Sequence, residues 1–373
     1  MPRQPTPDNR QLFSRRTNWN APTNRLTLAR QRRVGELLDL TESNPTRAGI
    51  DYPLDELSEI FARAARAPYT PDPLGLPSAR EALGGDVILT ASTSEAYSFL
   101  IKLLCNPGDE IVAAIPSYPL LEHLSALEMV TVRTFALEFH KRWEIHIERV
   151  HDAVSNRTRS IVAVNPNNPT GSFVPSAEQD TLAELQLPVI SDEVFLDYPL
   201  EGRGSSFVRD DVPTFALGGL SKSAGLPHYK LGWIRVGGPK KEEAIAALEL
   251  IADNYLSVAT PVQVALPEIL NIAPRIRAAI SARTQRNLTK LRSTALRSIS
   301  VLPVEGGWSA VLRVPSTESD EELALRLIEE HGVVVHPGYF FDFAADGYLV
   351  VSLLTEPPVF DEGVRRLLQA IPQ

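Results

Sequence analysis

Cysteine is nearly missing from this chain: Cys105 is the only one in 373 residues. A lone thiol excludes an internal disulfide framework and suits a cytoplasmic setting. It lies in an apolar helical run and reads as core. Long hydrophobic runs are missing too, since nothing approaches the roughly 18 apolar residues of a membrane helix. The first twenty residues, rich in Pro, Arg and Asn, hold no apolar stretch resembling a signal peptide. Their arginines (Arg3, Arg10, Arg15, Arg16) would suit a transit peptide, but Pro2, Pro5 and Pro7 oppose an amphipathic helix, so an arm is expected. Basic excess is absent: 37 Lys and Arg face 46 Asp and Glu, a formal net charge of −9. General nucleic-acid binding needs a basic face and is not expected. Repeats, low-complexity segments and a metal-ligand set are not apparent either.

What is present fits a globular protein of two lobes, with 43% hydrophobic and 22% charged residues. Lysines are few, and one stands apart. Phe215 to Leu217 form an apolar strand that enters Gly218-Gly219-Leu220-Ser221-Lys222-Ser223-Ala224-Gly225. Lys222 sits among small residues, whereas Lys240 and Lys241 lie in a charged surface run. Burying an ammonium is costly unless the charge is used, and a desolvated amine loses its proton more easily. That suits Schiff-base chemistry.

A second pattern lies upstream. Asp86 to Thr90 read as a buried strand, followed by Ser92-Thr93-Ser94-Glu95 as a capping box. The next helix places Ala96, Phe99, Leu100, Leu103 and Leu104 on one face. Strand, hydroxyl-rich turn and helix make a ready anion site, because free N–H groups and the helix dipole both favour phosphate. Strands then alternate with helices: Glu110 to Ile115, Ser160 to Val164, Pro188 to Ile190, Thr214 to Leu217 and Leu231 to Val236. Polar residues cluster after their carboxyl ends, where open α/β sheets bind ligands. Beyond about Asn271 the pattern changes to a helix over Ile276 to Leu296, short strands, a helix over Glu321 to His331 and a last strand at Tyr348 to Leu353. Residues 49–271 are expected to form a large domain with a mostly parallel seven-stranded sheet. Residues 1–48 and 272–373 are expected to form a smaller α+β domain.

Three motifs in order carry a resemblance: Asn165-Pro166-Asn167-Asn168-Pro169-Thr170-Gly171, then Ser191-Asp192-Glu193, then Ser221-Lys222. The set resembles the fold-type I, class I/II aminotransferases, which use pyridoxal 5′-phosphate (PLP), and it covers the chain from about Leu38 to Leu368. The resemblance implies that Lys222 forms the Schiff base and shuttles the Cα proton, and that Asp192 pairs with the pyridine nitrogen. It implies that Asn168 donates to the ring oxygen, that Tyr118 stacks on the ring, and that Ser92, Thr93, Ser221 and Lys230 hold the phosphate. Tyr69 would reach the phosphate of a neighbouring subunit in a homodimer. Ser43, Trp308, Phe195 and Arg313 are candidate substrate contacts.

The departures are specific. Lys230 stands where the family usually has arginine, exchanging a bidentate fork for a point charge. Phe195 replaces a usual tyrosine, removing one hydrogen bond to the ring oxygen. The arginine that usually grips the substrate carboxylate, two residues before Ser352, is Val350 here; Arg313 and Arg235 are candidate substitutes, and Val350 itself is a candidate apolar wall. The implied activity is transfer of an amino group between a small amino compound and a 2-oxo acid. Other Cα chemistry on the same cofactor (β-elimination or C–S cleavage, racemisation, decarboxylation) remains open, as does a non-enzymatic PLP-binding module.

Overall fold

Strands that are apolar on both faces must be covered on both faces, which is the condition of a parallel sheet inside helical layers. The inner strands meet it in a sheet of seven, β1 (Val87–Thr90), β2 (Glu110–Ile115), β3 (Thr131–Ala136), β4 (Thr158–Val164), β5 (Val189–Asp192), β6 (Thr214–Gly219) and β7 (Gly232–Gly237), whereas β3, at the edge, is largely exposed. All of β1 and all of β6 are buried. This computed structural model describes residues 13–294 and 298–371. The expected arm therefore lies outside the described residues as far as residue 12, and the end of the helix expected to reach Leu296 is likewise outside them.

The sheet order is β1-β7-β6-β5-β4-β2-β3. Pairings of β2 with β3 and β4, of β4 with β5, and of β5 with β6 are parallel, while β7 runs antiparallel to both β6 and β1. In register, Val164 stands beside Asp192 and Asp192 beside Leu217. The carboxyl ends of β4, β5 and β6 thus deliver their loops to one edge of the sheet. Helix α1 (Thr93–Leu104) follows β1 and buries Ala96, Phe99 and Leu100 against it, as its periodicity requires. Helix α2 (Leu120–Leu127) follows β2.

The second lobe holds the antiparallel sheet β8 (Ser300–Val301), β9 (Ser309–Arg313), β10 (His336–Pro337) and β11 (Tyr348–Ser352), ordered β8-β9-β11-β10. Leu38–Asp39 pairs in parallel with Val333–Val334. A single helix, α3 (Thr260–Thr294, 35 residues), runs through position 271/272, where a domain boundary was expected. It begins sixteen residues before Ile276, although Pro267 and Pro274 lie inside it. An interior proline costs a helix about 3 kcal/mol. Burial of Val262, Leu266, Ile269, Ala273 and Ile276 on one face offsets that cost, at roughly 1.5–3 kcal/mol for each large side chain. Near its other end, Asn287 Nδ2 donates to the carbonyls of Leu353 (2.9 Å) and Thr355 (2.7 Å), fixing the chain that leaves β11.

Candidate active site

A cavity of about 600 Å³ lies at the carboxyl edge of the parallel strands. Lys222 enters it from the short helix Leu220–Ser223, directly after β6. The turn is possible because Gly225 takes φ +64° where a Cβ would meet Ile280 at 2.8 Å. Tyr198 donates to the Lys222 carbonyl at 2.6 Å and fixes the backbone. Lys222 Nζ lies 4.8 Å from the Trp308 ring and 5.3 Å from that of Phe195. Burial among these rings pulls the amine down to about 8, with the charge of Asp192 opposing the shift.

Asp192 ends β5 and faces the same cavity. Its Oδ2 accepts from the Tyr97 hydroxyl at 3.0 Å and its Oδ1 from the Val194 N–H at 3.2 Å. Burial pushes its carboxyl above the usual range; these two donors and Lys222 pull the other way. A carboxylate so enclosed calls for a cationic partner. Tyr97 was not singled out from the sequence. Its signal was its place four residues after Thr93, one helical turn into α1 and on the side of the hydroxyl turn.

The asparagines of the loop after β4 divide their work. Asn165 and Asn167 knit the loop: Asn165 Nδ2 donates to the Ser205 carbonyl at 2.8 Å, and Asn167 Nδ2 to the Pro116 carbonyl at 2.9 Å. Asn168 alone lines the cavity, its Oδ1 accepting from the Ser309 hydroxyl at 3.4 Å and its amide N–H groups left to donate elsewhere.

Ser43, Thr93, Tyr118, Phe195, Ser221 and Trp308 also line the cavity. Trp308 is buried and stands edge-on to Phe195 (5.2 Å) and Tyr198 (5.0 Å). Ser92 works one step back. Its hydroxyl accepts from the Glu95 N–H at 3.3 Å and caps α1, while the Glu95 carboxylate reaches Ala91 N–H at 2.6 Å rather than Ser92. At this helix start the backbone must be closely approached: a Cβ on Gly232 would lie 3.1 Å from Thr93 N and 3.0 Å from the Ser92 carbonyl carbon.

Other candidates lie off this cavity. Lys230 is exposed, has φ +49° and is not among the lining residues. Arg313 is exposed at the last position of β9, four residues along the strand from the cavity-lining Ser309, and is not among the lining residues. Arg235 is committed to the Leu83 carbonyl on β7. Val350 is not a wall: it is 2% exposed and packs with Val311, Phe341 and Phe343. Tyr69 is 70% exposed and lies apart from the cavity of its own chain. Among the described lining residues Lys222 is the one cation, while Glu122 and Asp342, which the sequence reading missed, add carboxylates at the rim.

The donor set suits a flat, phosphorylated heteroaromatic cofactor. It offers an amine poised near neutrality, a buried carboxylate lacking a full counter-charge, a free amide donor, aromatic walls, and a helix start with hydroxyls at Thr93 and Ser221.

The sequence pattern described as "Aminotransferase class I and II" matches residues 75–368. The chain is 33% identical over 226 residues to nicotianamine aminotransferase 1 of Oryza sativa subsp. japonica, covering 54% of this chain and 45% of that protein. It is 28% identical to nicotianamine aminotransferase B of Hordeum vulgare, covering 80% of this chain and 60% of that protein. The chain thus spans only about half of these two relatives. Over nearly full lengths, 93% of each, it is 24% identical to the glutamate-pyruvate aminotransferase AlaA of Haemophilus influenzae. A solved structure of a Thermus thermophilus aspartate aminotransferase double mutant matches with TM-score 0.84 and 25% identity, covering 96% of this chain and 99% of that one. An alanine aminotransferase from Pyrococcus furiosus matches in fold with TM-score 0.83 at 23% identity, covering 92% and 95%. Family pattern, fold and the order of Asn168, Asp192 and Lys222 agree: the chain belongs to the class I and II aminotransferases.

Proposed function

We propose that this protein is a PLP-dependent aminotransferase that moves an amino group between a small amino compound and a 2-oxo acid. The observation that carries the reading is the convergence of Lys222 and Asp192 on one cavity from adjacent parallel strands. When bound, the cofactor supplies an electron sink that stabilises negative charge developing at the substrate Cα.

The residues of this chain supply the rest. Lys222 Nζ, held beside the rings of Phe195 and Trp308, would take the proton from substrate Cα and hold it for return. Asp192 holds a proton on the ring nitrogen through a carboxylate that Tyr97 and Val194 keep aimed. Asn168 donates its free amide to the ring oxygen, with Ser309 setting the amide's orientation. Phe195 and Trp308 keep water from the amine. Thr93, Ser221 and the start of α1, which Ser92 caps, receive the phosphate.

Among the described lining residues no cation besides Lys222 is present to pair a substrate carboxylate, and with Glu122 and Asp342 at the rim this favours donors that present little carboxylate, since an unpaired carboxylate in a partly dry site costs several kcal/mol. The active form is a homodimer in which Tyr69, idle in its own chain, serves the other subunit's phosphate. Sedimentation of the holoenzyme at micromolar concentration should show a dimer, and a fully active monomer would refute it.

The test of the reaction is direct. The holoenzyme is incubated with a panel of amines and amino acids plus a 2-oxo acid, and the new amino acid is measured. Lys222→Ala should abolish product, by at least about 10³-fold, and should lose the pyridoxyl label that borohydride otherwise leaves on this lysine. Ammonia released without amino-acid product would move the reading to elimination.

A further inference from the structure

Remote from the cavity, a short hairpin places four metal-competent side chains together. Glu138–Phe139 pairs antiparallel with Trp143–Glu144, with Glu138 opposite Glu144 and Phe139 opposite Trp143. Lys141 at φ +70° makes the tight turn, and His140 N–H donates to the Arg142 carbonyl at 2.9 Å. Two like charges directly opposite each other destabilise a hairpin unless a cation joins them. Both carboxylates here use Oε1 on arginine: Glu138 accepts from Arg149 at 2.9 Å, and Glu144 lies 3.8 Å from Arg142. Both turn Oε2 to imidazole. Glu138 Oε2 lies 3.3 Å from His140 Nε2 and 3.8 Å from His146 Nε2, and Glu144 Oε2 lies 3.9 Å from His146 Nε2. His146 Nε2 is itself buried and has no hydrogen-bond partner.

We propose that Glu138, His140, Glu144 and His146 form a site for one divalent transition metal of the zinc class. Two imidazoles with two carboxylates select zinc-like ions over magnesium or calcium, which prefer all-oxygen shells. Bonds of about 2.0–2.1 Å in a tetrahedron put ligand atoms roughly 3.3 Å apart. The closest pair already stands at 3.3 Å, and small rotations of partly exposed side chains bring in the others. Ligand atoms of Glu138, His140 and His146 all lie within 4.8 Å of one another. Arg149 provides the outer hydrogen bond that orients a ligating carboxylate. The metal would staple a hairpin that joins the lobes: Trp143 packs edge-on to Phe343 (5.7 Å), and Arg142 binds Glu178 (2.6 Å) and Glu305 (3.0 Å).

The test uses the PLP-loaded protein after chelator dialysis, titrated calorimetrically with Zn²⁺ and spectroscopically with Co²⁺. The parent should bind one equivalent per chain, show the intense visible bands of tetrahedral Co²⁺, and melt at a higher temperature with Zn²⁺ than without. His140→Ala with His146→Gln should remove that equivalent, the bands and the metal-induced shift, while the metal-free melting temperature stays that of the parent. Glu144→Gln alone should weaken Zn²⁺ by at least the roughly 10–100-fold that loss of an outer-shell partner costs, with the fold unaltered. Zn²⁺ binding of unchanged stoichiometry and affinity in the double variant, or a Co²⁺ spectrum without tetrahedral bands, would overturn the proposal. Neither result bears on transamination.

Discussion

The two sheets of this protein differ in what they give to the cavity. In the parallel sheet, β4, β5 and β6 share one carboxyl edge, and their loops deliver Asn168, Asp192 and Lys222 to one place. In the antiparallel sheet, neighbouring strands end on opposite sides, and their faces are spent on packing. It supplies only Ser309 and Ser352 to the cavity, with Trp308 from the loop before β9, while Val350 and Val311 go into the core. Chemistry collects where strand ends coincide; side chains in mid-strand are claimed by whichever layer covers them.

Breaking the parallel side should have the largest effect. Asp192→Asn keeps shape and removes the charge that holds a proton on the ring nitrogen. Loss of one partner of a buried charge pair costs about 3–5 kcal/mol, so kcat/KM should fall by roughly 10²–10⁴-fold with cofactor still bound. An activity within a few-fold of the parent would show that the carboxylate is not used.

Breaking the antiparallel side should cost stability instead. Val350→Arg places a guanidinium beside Val311, Phe341 and Phe343, with an expected loss of about 3–5 kcal/mol in denaturant unfolding. No gain in binding of dicarboxylic donors should accompany it. A stable variant with improved affinity for such donors would mean that the strand can present this position to the cavity.

The smallest effect sharpens the contrast by pH. Lys222 is held at about 8 in the folded apoprotein, below its ordinary 10.5, so between those values the unfolded chain binds more protons. Stability must therefore rise with pH across that window, and the penalty of the buried ammonium is fully present below 8. The ceiling is about 3 kcal/mol at 1.36 kcal/mol per unit; because the amine borders an open cavity, about 1–3 kcal/mol is expected. Apo Lys222→Met should exceed the apo parent by that amount at neutral pH, and the gap should close toward pH 10.5. Parallel denaturant melts would show it, and a gap that widens with pH would contradict the assignment.

The lysine turn, the capped helix after β1 and the asparagine loop were all legible in the sequence because each is local: strand period, cap and turn residues lie within a dozen positions of one another. Lys222 stood out on that ground, and the family resemblance of their motifs named Asp192 and Asn168, before their convergence was known. Tyr97 could not, since its value comes from Asp192, 95 residues away. The long helix α3 was read too short because Pro267 and Pro274 weaken it locally, while its burial against both lobes outweighs them. Arg313 and Arg235 carried the right charge for a substrate carboxylate, and only the distance of Arg313 along β9 from Ser309 and the Leu83 carbonyl that holds Arg235 decided that neither reaches the cavity. Val350 shows the same division. Its identity announced that a carboxylate clamp was missing, but whether it lined the cavity or the core depended on what packed over β11. Identity and periodicity are properties of neighbours in the chain, whereas the direction of a charge and the filling of a wall are settled by residues hundreds of positions apart, which only the closed fold brings into contact.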